Sequence, residues 1–350
     1  MRRNFGQGGY VGILGSDREL IGSTQGPLGN RLGGLDANIP VSDDDSLTGA
    51  AFVSQTDGLA LNGAAAGGAH DPFDDAARGV GSDAEVGWEH GGEHLQTSLR
   101  GVWASPDFRA ENGFVTKADC IQAKYGATIL AYPKSTIIPR VGFTPGQGYI
   151  AWNTEGQVRG YEVEPEFSAR TSNGMHLHTS VFVDGELYDG AFLKSVQPNI
   201  GGAVPLTPWF GFYARVYAGT SAYYDAVNPR VGAYQSAEFD GLLQAGSHLS
   251  FSFTGNAEQM HELPSAPNPG ALLCTALVGR LETDAFATPQ LSARLTLDVS
   301  TFDDTRAAEL LLAWEREPGT AIYAGGALGW TGADLTSWNV VVKGTWGIQL

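Results

Sequence analysis

The sequence predicts an all-β protein, a closed antiparallel transmembrane β-barrel of about 16 strands whose first and last strands pair. Many segments of roughly ten residues alternate between apolar and polar side chains, and a strand of that length crosses a bilayer at a tilt. Only 17% of the 350 residues are charged and 48 are glycine. No apolar run reaches the roughly 18 residues of a transmembrane helix. We therefore expect a single barrel domain over residues 1–350.

In the first third of the chain, short alternating segments are separated by turns rich in glycine and aspartate. The expected strands cover residues 10–15, 35–41, 47–55, 83–89 and 94–104. Residues 16–30 are expected to be a loop and residues 42–46 an acidic turn. Two long loops are expected near residues 56–82 and 105–118, and loops of that length are usually functional or mobile.

The rest of the chain continues the pattern with longer strands. Ser172-Asn173-Gly174 indicates a hairpin turn between two of them. A third long loop is expected near residues 185–207, and residues 272–284 suit either a helix or a strand. The remaining expected strands cover residues 120–132, 137–144, 149–153, 161–170, 175–183, 210–219, 230–239, 244–255, 291–300, 308–315, 321–328 and 337–350.

The final expected strand, residues 337–350, has two distinct faces. Trp338 and Val340 alternate with Asn339 and Lys343 along it, because successive strand residues point to opposite sides. An apolar face with tryptophan suits lipid, so we expect this strand to close the barrel by pairing with residues 10–15. Tryptophans on apolar faces are expected at the lipid interface, with core packing in a soluble fold as the alternative: Trp103, Trp314, Trp338 and Trp346.

The opposite, polar strand faces are predicted to line the lumen of the barrel. The carboxylates of Glu162, Glu164 and Glu166 follow one another along one such face. The other residues predicted to line the lumen are His176, His178, Arg294 and Asp298. The formal net charge is −17 and the chain has no cluster of Lys or Arg, which argues against nucleic-acid binding. An acidic lumen would favour cations.

Several polar groups also have a chemical alternative. Two histidines on one strand face suit a metal, but the sequence supplies no third ligand. Paired carboxylates serve glycoside hydrolysis, although carboxylates at i and i+2 commonly only solvate a strand face. Aspartates at 43–45, 71, 74 and 75 lack the spacing of an EF-hand calcium loop. We therefore predict no catalytic, metal or cofactor site.

The two cysteines, Cys120 and Cys274, have no metal-ligand spacing. We expect two unpaired thiols that behave as small apolar side chains. A disulfide between them is the alternative.

Several short stretches resemble a known family. Residues 9–18 read Gly-Tyr-Val-Gly-Ile-Leu-Gly-Ser-Asp-Arg, and residues 105–115 read Ser-Pro-Asp-Phe-Arg-Ala-Glu-Asn-Gly-Phe-Val, followed by Asp119. Near the end stand Leu-Leu-Leu-Ala-Trp-Glu at 310–315, Pro318-Gly319, Ile322-Tyr323 and Val342-Lys343. Together they resemble the C-terminal β-barrel part of the DUF5916-type family of uncharacterised bacterial outer-membrane proteins.

The resemblance implies a bacterial outer-membrane location and no established chemistry. In that family a carbohydrate-binding-like β-sandwich precedes the barrel. This sequence shows neither that sandwich nor an apolar secretory leader, and its last residue is Leu350 rather than an aromatic one. We therefore expect a mature or truncated form that lacks an N-terminal domain or a partner chain.

The expected role is that of a passive pore or of a scaffold for surface loops, without a cofactor and not as an enzyme. The expected partners are the lipid bilayer and small solutes or cations. The first alternative is a soluble or secreted β-rich carbohydrate-binding protein, and the second is a membrane-embedded hydrolase. The sequence is compatible with an open lumen and equally with one that inward-folded loops occlude.

Overall fold

The computed structural model describes residues 2–5, 8–20, 28–57, 79–108, 118–225, 227–317 and 320–345. These residues form one antiparallel sheet of 19 strands. The strands are β1 (Arg2–Phe5), β2 (Gly9–Leu20), β3 (Leu28–Pro40), β4 (Asp45–Asp57), β5 (Gly79–Gly91), β6 (Leu95–Ala104), β7 (Cys120–Ala131), β8 (Arg140–Trp152), β9 (Val158–Arg170), β10 (His176–Tyr188), β11 (Ala191–Thr207), β12 (Phe210–Tyr223), β13 (Arg230–Ala245), β14 (Leu249–Glu262), β15 (Leu272–Thr288), β16 (Leu291–Ser300), β17 (Thr305–Glu317), β18 (Thr320–Thr331) and β19 (Asp334–Thr345). Within these ranges, no helix has the length and apolar character needed to cross a membrane.

Each strand pairs with the strand that follows it in the chain, so the sheet is a continuous meander. Apart from β1, the strands are between 10 and 17 residues long. The prediction of an all-β antiparallel fold with long strands is confirmed. The predicted number of strands is wrong, because the sheet has 19.

The long loop predicted near residues 185–207 is one source of that error. In the structure β10 continues to Tyr188, and β11 occupies Ala191–Thr207. The two residues between them, Asp189 and Gly190, have φ of 45° and 77°, which is the conformation of a two-residue hairpin turn. The Asp-Gly pair is the signal that marks this turn. The prolines within β11 made the segment resemble a loop in the sequence, because proline is uncommon inside strands. A bulge beside Pro205 accommodates one of them.

Other predicted loops are shorter in the structure or lie outside the described residues. β2 and β3 extend into the loop predicted at 16–30, and residues 21–27 are outside the described part of the chain. The loop predicted near 56–82 corresponds to residues 58–78, which are also outside it. The connection predicted near 105–118 joins β6 to β7, and only its two ends are described. The ambiguous segment at 272–284 is strand, within β15.

The predicted closure of the barrel is wrong for the described residues. The first part of the β2 edge that the final strand was expected to join is taken by β1, with Arg2 opposite Gly12 and Asn4 opposite Tyr10. The same backbone groups cannot bond two strands at once. No pairing between described residues joins β19 to β1 or β2, so the described sheet is not closed. The last strand ends at Thr345, and residues 346–350, which include Trp346, are outside the described part.

The distribution of polarity is the reverse of that in a water-soluble domain. The most buried side chains include Ser54 and Ser180, which are 0% and 3% exposed. Large apolar side chains are exposed along every part of the sheet, and Trp338 and Val342 are 72% and 73% exposed. Soluble proteins bury their large aliphatic and aromatic residues. The sheet therefore presents an apolar surface outward and shields polar groups on its other side.

The two ends of the strands carry connections of different length. Connections that follow odd-numbered strands are mostly short, for example 41–44, 208–209 and 289–290. The longest connections, 58–78 and 105–119, both follow even-numbered strands. We call these the short-turn end and the long-loop end.

Gly219 in β12 is required by the local backbone. Its φ is +137°, and a Cβ atom placed there would lie 2.0 Å from the carbonyl oxygen of Val196 on β11. The obstacle is backbone, so no side-chain rotation relieves it. Ladder pairing between β11 and β12 is interrupted at this point, between Val196 and Asn199.

We expect Gly219→Ala to lower the free energy of unfolding by about 1–3 kcal/mol, because the new side chain imposes backbone strain. The measurement is urea unfolding in detergent micelles, followed by tryptophan fluorescence. Gly15→Ala is the matched control, since a Cβ atom there meets nothing within 4 Å. Equal stability of the two variants would contradict the strain at Gly219.

Candidate functional site

The polar face of the sheet is defined by the register of its strands. Directly opposite residues of antiparallel strands project to the same side. Glu162 lies opposite Tyr149 on β8 and opposite Asp184 on β10. The strand pairings identify the residues on this same side of the sheet, strand by strand, as far as β16. All seven residues predicted to line a lumen share this face: Glu162, Glu164, Glu166, His176, His178, Arg294 and Asp298. Whether the face encloses a lumen stays a prediction.

Glu164 is the centre of a hydrogen-bonded cluster that spans β8 to β12. Its carboxylate accepts hydrogen bonds from Gln147 at 2.9 Å, Ser180 at 2.7 Å and Arg215 at 3.1 Å. Arg215 also donates to Asn199 at 2.9 Å, and Asn199 donates to Ser180 at 2.7 Å. These five residues form the Glu164 cluster. A buried carboxylate is tolerated only when it is paired and hydrogen-bonded, and here both conditions are met.

Aromatic rings extend the Glu164 cluster along the polar face. The guanidinium carbon of Arg215 lies 4.7 Å from the ring centroid of Tyr217, whose hydroxyl donates to Glu238 at 3.3 Å. The ring of His178 stacks between those of His176 and Tyr213, at centroid distances of 5.8 and 6.0 Å. The two histidines are thus neighbours, as their spacing predicted.

The described residues contain no group of three or more His, Cys, Asp or Glu side chains arranged to hold a metal ion. The stacked His176 and His178 rings present faces to each other, and their other ring neighbour is a tyrosine. No metal role is assigned to them.

Arg294 and Asp298 do not contact each other; each pairs with β15 instead. Arg280 donates twice to Asp298, at 2.7 and 3.2 Å. Arg294 donates to Asp284 at 2.8 Å and lies 3.6 Å from Glu282. Alternation along one strand identified the face of these residues. Their partners follow only from the register between strands, so Arg280, Asp284 and Arg215 were missed.

Carboxylates dominate the polar face on β9 and β10. Glu162 and Asp184 are directly opposite each other, and like charges in that position repel. The acidic side chains on this part of the face are Glu162, Glu164, Glu166, Asp184 and Glu186, beside the cation Arg170. The local charge of the wall is therefore negative.

A cavity of about 1200 Å³ lies at the short-turn end, lined by residues of β3 to β8 that include Asn38, Gln96 and Thr128. The acidic turn predicted at 42–46 borders it. There Ser42 donates to Asp45 at 2.7 Å, and Asp45 lies 3.0 Å from His90 Nδ1. The carboxylate of Asp45 is thus engaged by Ser42 in the turn and by His90 on β5. Aspartates 71, 74 and 75 are outside the described residues.

The predicted interface tryptophans lie on the apolar face where they are described. Trp103, Trp314 and Trp338 are 38%, 41% and 72% exposed. Opposite them in the ladder stand Ile121, Leu291 and Leu328. The cysteines Cys120 and Cys274 are free thiols on β7 and β15, so no disulfide joins them.

Asp119 joins two connections at the long-loop end. Its carboxylate accepts hydrogen bonds from the Thr154 amide at 3.0 Å, from the Thr154 hydroxyl, and from Arg159 at 3.2 Å. Burial of the carboxylate acts to raise the pKa of Asp119, but the Thr154 hydrogen bonds and the charge of Arg159 outweigh it and hold that pKa below 3.8. Its φ of 51° is tolerated by Asp better than by most residues.

Comparison with solved structures identifies the fold. The siderophore receptor PirA from Pseudomonas aeruginosa matches with a TM-score of 0.61 at 10% identity, over 97% of this chain and 66% of that one. The ferric-catecholate import receptor Fiu from E. coli K12 matches with a TM-score of 0.58 at 9% identity, over 97% and 70% of the two chains. The FrpB iron transporter from Neisseria meningitidis matches with a TM-score of 0.56 at 10% identity, over 91% and 65%.

This chain therefore has the strand architecture of outer-membrane β-barrel receptors and spans about two thirds of the length of PirA. No family model matches the sequence. No curated protein matches it either.

We expect Arg215→Met to lower the free energy of unfolding by about 3 kcal/mol, the low end for a broken buried ion pair, because its side chain is 20% exposed. Arg280→Met is the matched control, since that pair with Asp298 is solvent-exposed, and its loss should be much smaller. Urea unfolding in micelles measures both. The double variant Arg215→Met, Glu164→Gln should recover part of the stability, because it leaves no unpaired buried charge. Equal losses of unfolding free energy in Arg215→Met and Arg280→Met would contradict the role of the Glu164 cluster.

The lowered pKa of Asp119 gives stability that depends on pH. A carboxyl whose pKa is lower in the folded state than in the unfolded state stabilises the folded state at pH values above its unfolded-state pKa, here near 3.8. That stabilisation is lost as the pH falls through the folded-state pKa. We therefore expect Asp119→Asn to be less stable than the parent at pH 6 to 7 and to lose less stability than the parent on acidification. Melting temperatures between neutral pH and about pH 3 test this. Parallel curves for parent and variant would rule it out.

Proposed function

We propose that this chain is an integral outer-membrane β-barrel protein whose polar face lines a passive passage for small cationic solutes. The observation that carries the proposal is the reversed polarity of the sheet: serines, asparagine and a glutamate are buried, while tryptophan, leucine and valine are exposed. A sheet of this kind is stable when hydrocarbon covers the apolar side and water or protein meets the polar side.

The fold and the strand lengths support the membrane assignment. Strands of ten or more residues can span the hydrocarbon core when tilted, and similar architectures occur in the outer-membrane receptors. In a bilayer the free edge of β19 needs a hydrogen-bonding partner, because unsatisfied backbone groups are not tolerated in hydrocarbon.

The charge of the wall supports preference for cations. Glu162, Glu166 and Asp184 lie on the same part of the polar face, and rings or rows of carboxylates concentrate cations in a pore. The solved neighbours are described as siderophore or iron transport proteins. At about 10% identity the likeness concerns the fold, and we do not extend their ligands to this chain.

The hydrolase alternative has weaker support. It requires a histidine beside a carboxylate, together with a nucleophile. Asp45 and His90 satisfy the first condition at the border of the cavity. Among the hydrogen bonds of the described residues, none joins a serine hydroxyl to His90. We therefore propose no catalytic role.

The proposal is tested by reconstituting the protein into planar bilayers under a KCl gradient. We expect stepwise conductance with a reversal potential of the sign that cations produce. The double variant Glu162→Gln, Glu166→Gln should shift the reversal potential towards zero, because it removes negative charge from the wall. The control Glu93→Gln, Glu155→Gln removes the same charge from turns at opposite ends of the strands.

Three results would count against the proposal. A silent bilayer under all salts would refute the passage. An unchanged reversal potential in the wall variant would refute the role of the carboxylates. A chain that stays monomeric in the aqueous phase without detergent would favour the soluble carbohydrate-binding alternative.

A further inference from the structure

Part of the polar face at the long-loop end is covered. Asn30, Ser54 and Thr56 are 1%, 0% and 3% exposed, and Asn30 donates a hydrogen bond to Thr56 at 2.9 Å. In an open passage, polar side chains on this face would be in contact with water. Their burial shows that these three side chains are shielded from water.

Residues 105–108, the inner segment, lie on that side of the sheet. Gly81 of β5 is opposite Ser54 of β4. A Cβ atom at Gly81 would lie 2.2 Å from both the Cα and the amide nitrogen of Phe108, so the backbone of the inner segment rests directly on the glycine. At Gly79 a Cβ atom would lie 3.4 Å from the Asp107 side chain.

The register shows that this contact is on the polar face. Gly81 and Glu85 are on the same side of β5 because residues two apart share a face. The strand pairings from β5 through β6 and β7 to β8 and β9 place Glu85 on the same side of the sheet as Tyr149 and Glu162. The inner segment is therefore folded inward, towards the passage rather than towards lipid.

Hydrogen bonds hold the inner segment in place at its base. The Ser105 amide donates to the Ser82 carbonyl at 2.9 Å, and the Ser82 amide donates to the Ser105 hydroxyl at 2.9 Å. The Ser105 carbonyl accepts from Phe108 at 3.2 Å and from Asp119 at 3.3 Å. Asp119 is in turn held by Thr154 and Arg159. The side chain of Phe108 is 5% exposed.

We propose that the inner segment is a fixed constriction of the passage, and that the buried Phe108, seated on Gly81, holds the segment in that position. Glycine is needed at 81 because any side chain would displace the backbone of the segment. The assignment of a constriction depends on the proposed pore function. The inward position of the segment is tested separately from it.

The position of the segment is tested by thiol labelling. In a background with Cys120→Ala and Cys274→Ala, the variant Ser54→Cys places one thiol directly opposite Gly81, on which the segment rests. We expect slow labelling by a bulky maleimide, and labelling roughly tenfold faster when Phe108→Ala or Gly81→Ala is added, because thiol reactivity follows exposure. Gly33→Ala is the matched control, since a Cβ atom there meets nothing within 4 Å.

Each result has one interpretation. Fast labelling of the parent, or equally slow labelling of all variants, would overturn the inward position of the segment. Phe108→Ala keeps the test valid if Gly81→Ala fails to fold, which circular dichroism reports. In planar bilayers Phe108→Ala should raise conductance and admit larger polyethylene glycols than the parent does. Unchanged conductance with accelerated labelling would refute the constriction but not the position, whereas silence of every variant would refute the pore itself.

Discussion

The hydrogen-bonded ladder between consecutive strands is the constraint on which the rest of the structure depends. Each pairing sets which residues are opposite each other, and opposite residues share a side. The polar side chains of one strand therefore lie beside the polar side chains of the next. Glu162, Asp184 and the ion pairs of β15 and β16 are all on the same side of the sheet. A slip of one residue would exchange the two faces. The separation into an apolar side and a polar side is therefore a property of the whole sheet.

The two sides are stabilised in different ways. On the apolar side, exposed aliphatic and aromatic groups require hydrocarbon. On the polar side, charges are matched locally, most completely at the Glu164 cluster, where Arg215 and two neutral side chains, Gln147 and Ser180, donate to one carboxylate. The exposed pairs, such as Arg280 with Asp298, are wetter and contribute less to stability. An excess of carboxylates on β9 and β10 remains after this matching.

The long-loop end links the architecture to the sequence motif at residues 105–115. Ser105 continues the pairing with β5 beyond the end of β6, while Phe108 turns onto Gly81. Asp119 ties the end of the same connection to the turn after β8. Residues 105–108 of the motif therefore have a structural role at the base of a connection, and the same contacts place them on the polar face of the sheet.

The sequence by itself determined the all-β antiparallel class, the long strands and the face of each predicted residue that the structure describes, because period-two alternation is a local property of the chain. It missed β11, where prolines concealed a strand despite the Asp-Gly turn before it. It named Glu164, Arg294 and Asp298 but not their ion-pair partners on neighbouring strands, Arg215, Asp284 and Arg280. The tertiary structure decided those pairings, the occupation of the β2 edge by β1, and the contact between Phe108 and Gly81. Each depends on register or on backbone approach between segments distant in the chain, and neither quantity is encoded in the alternation of a single strand.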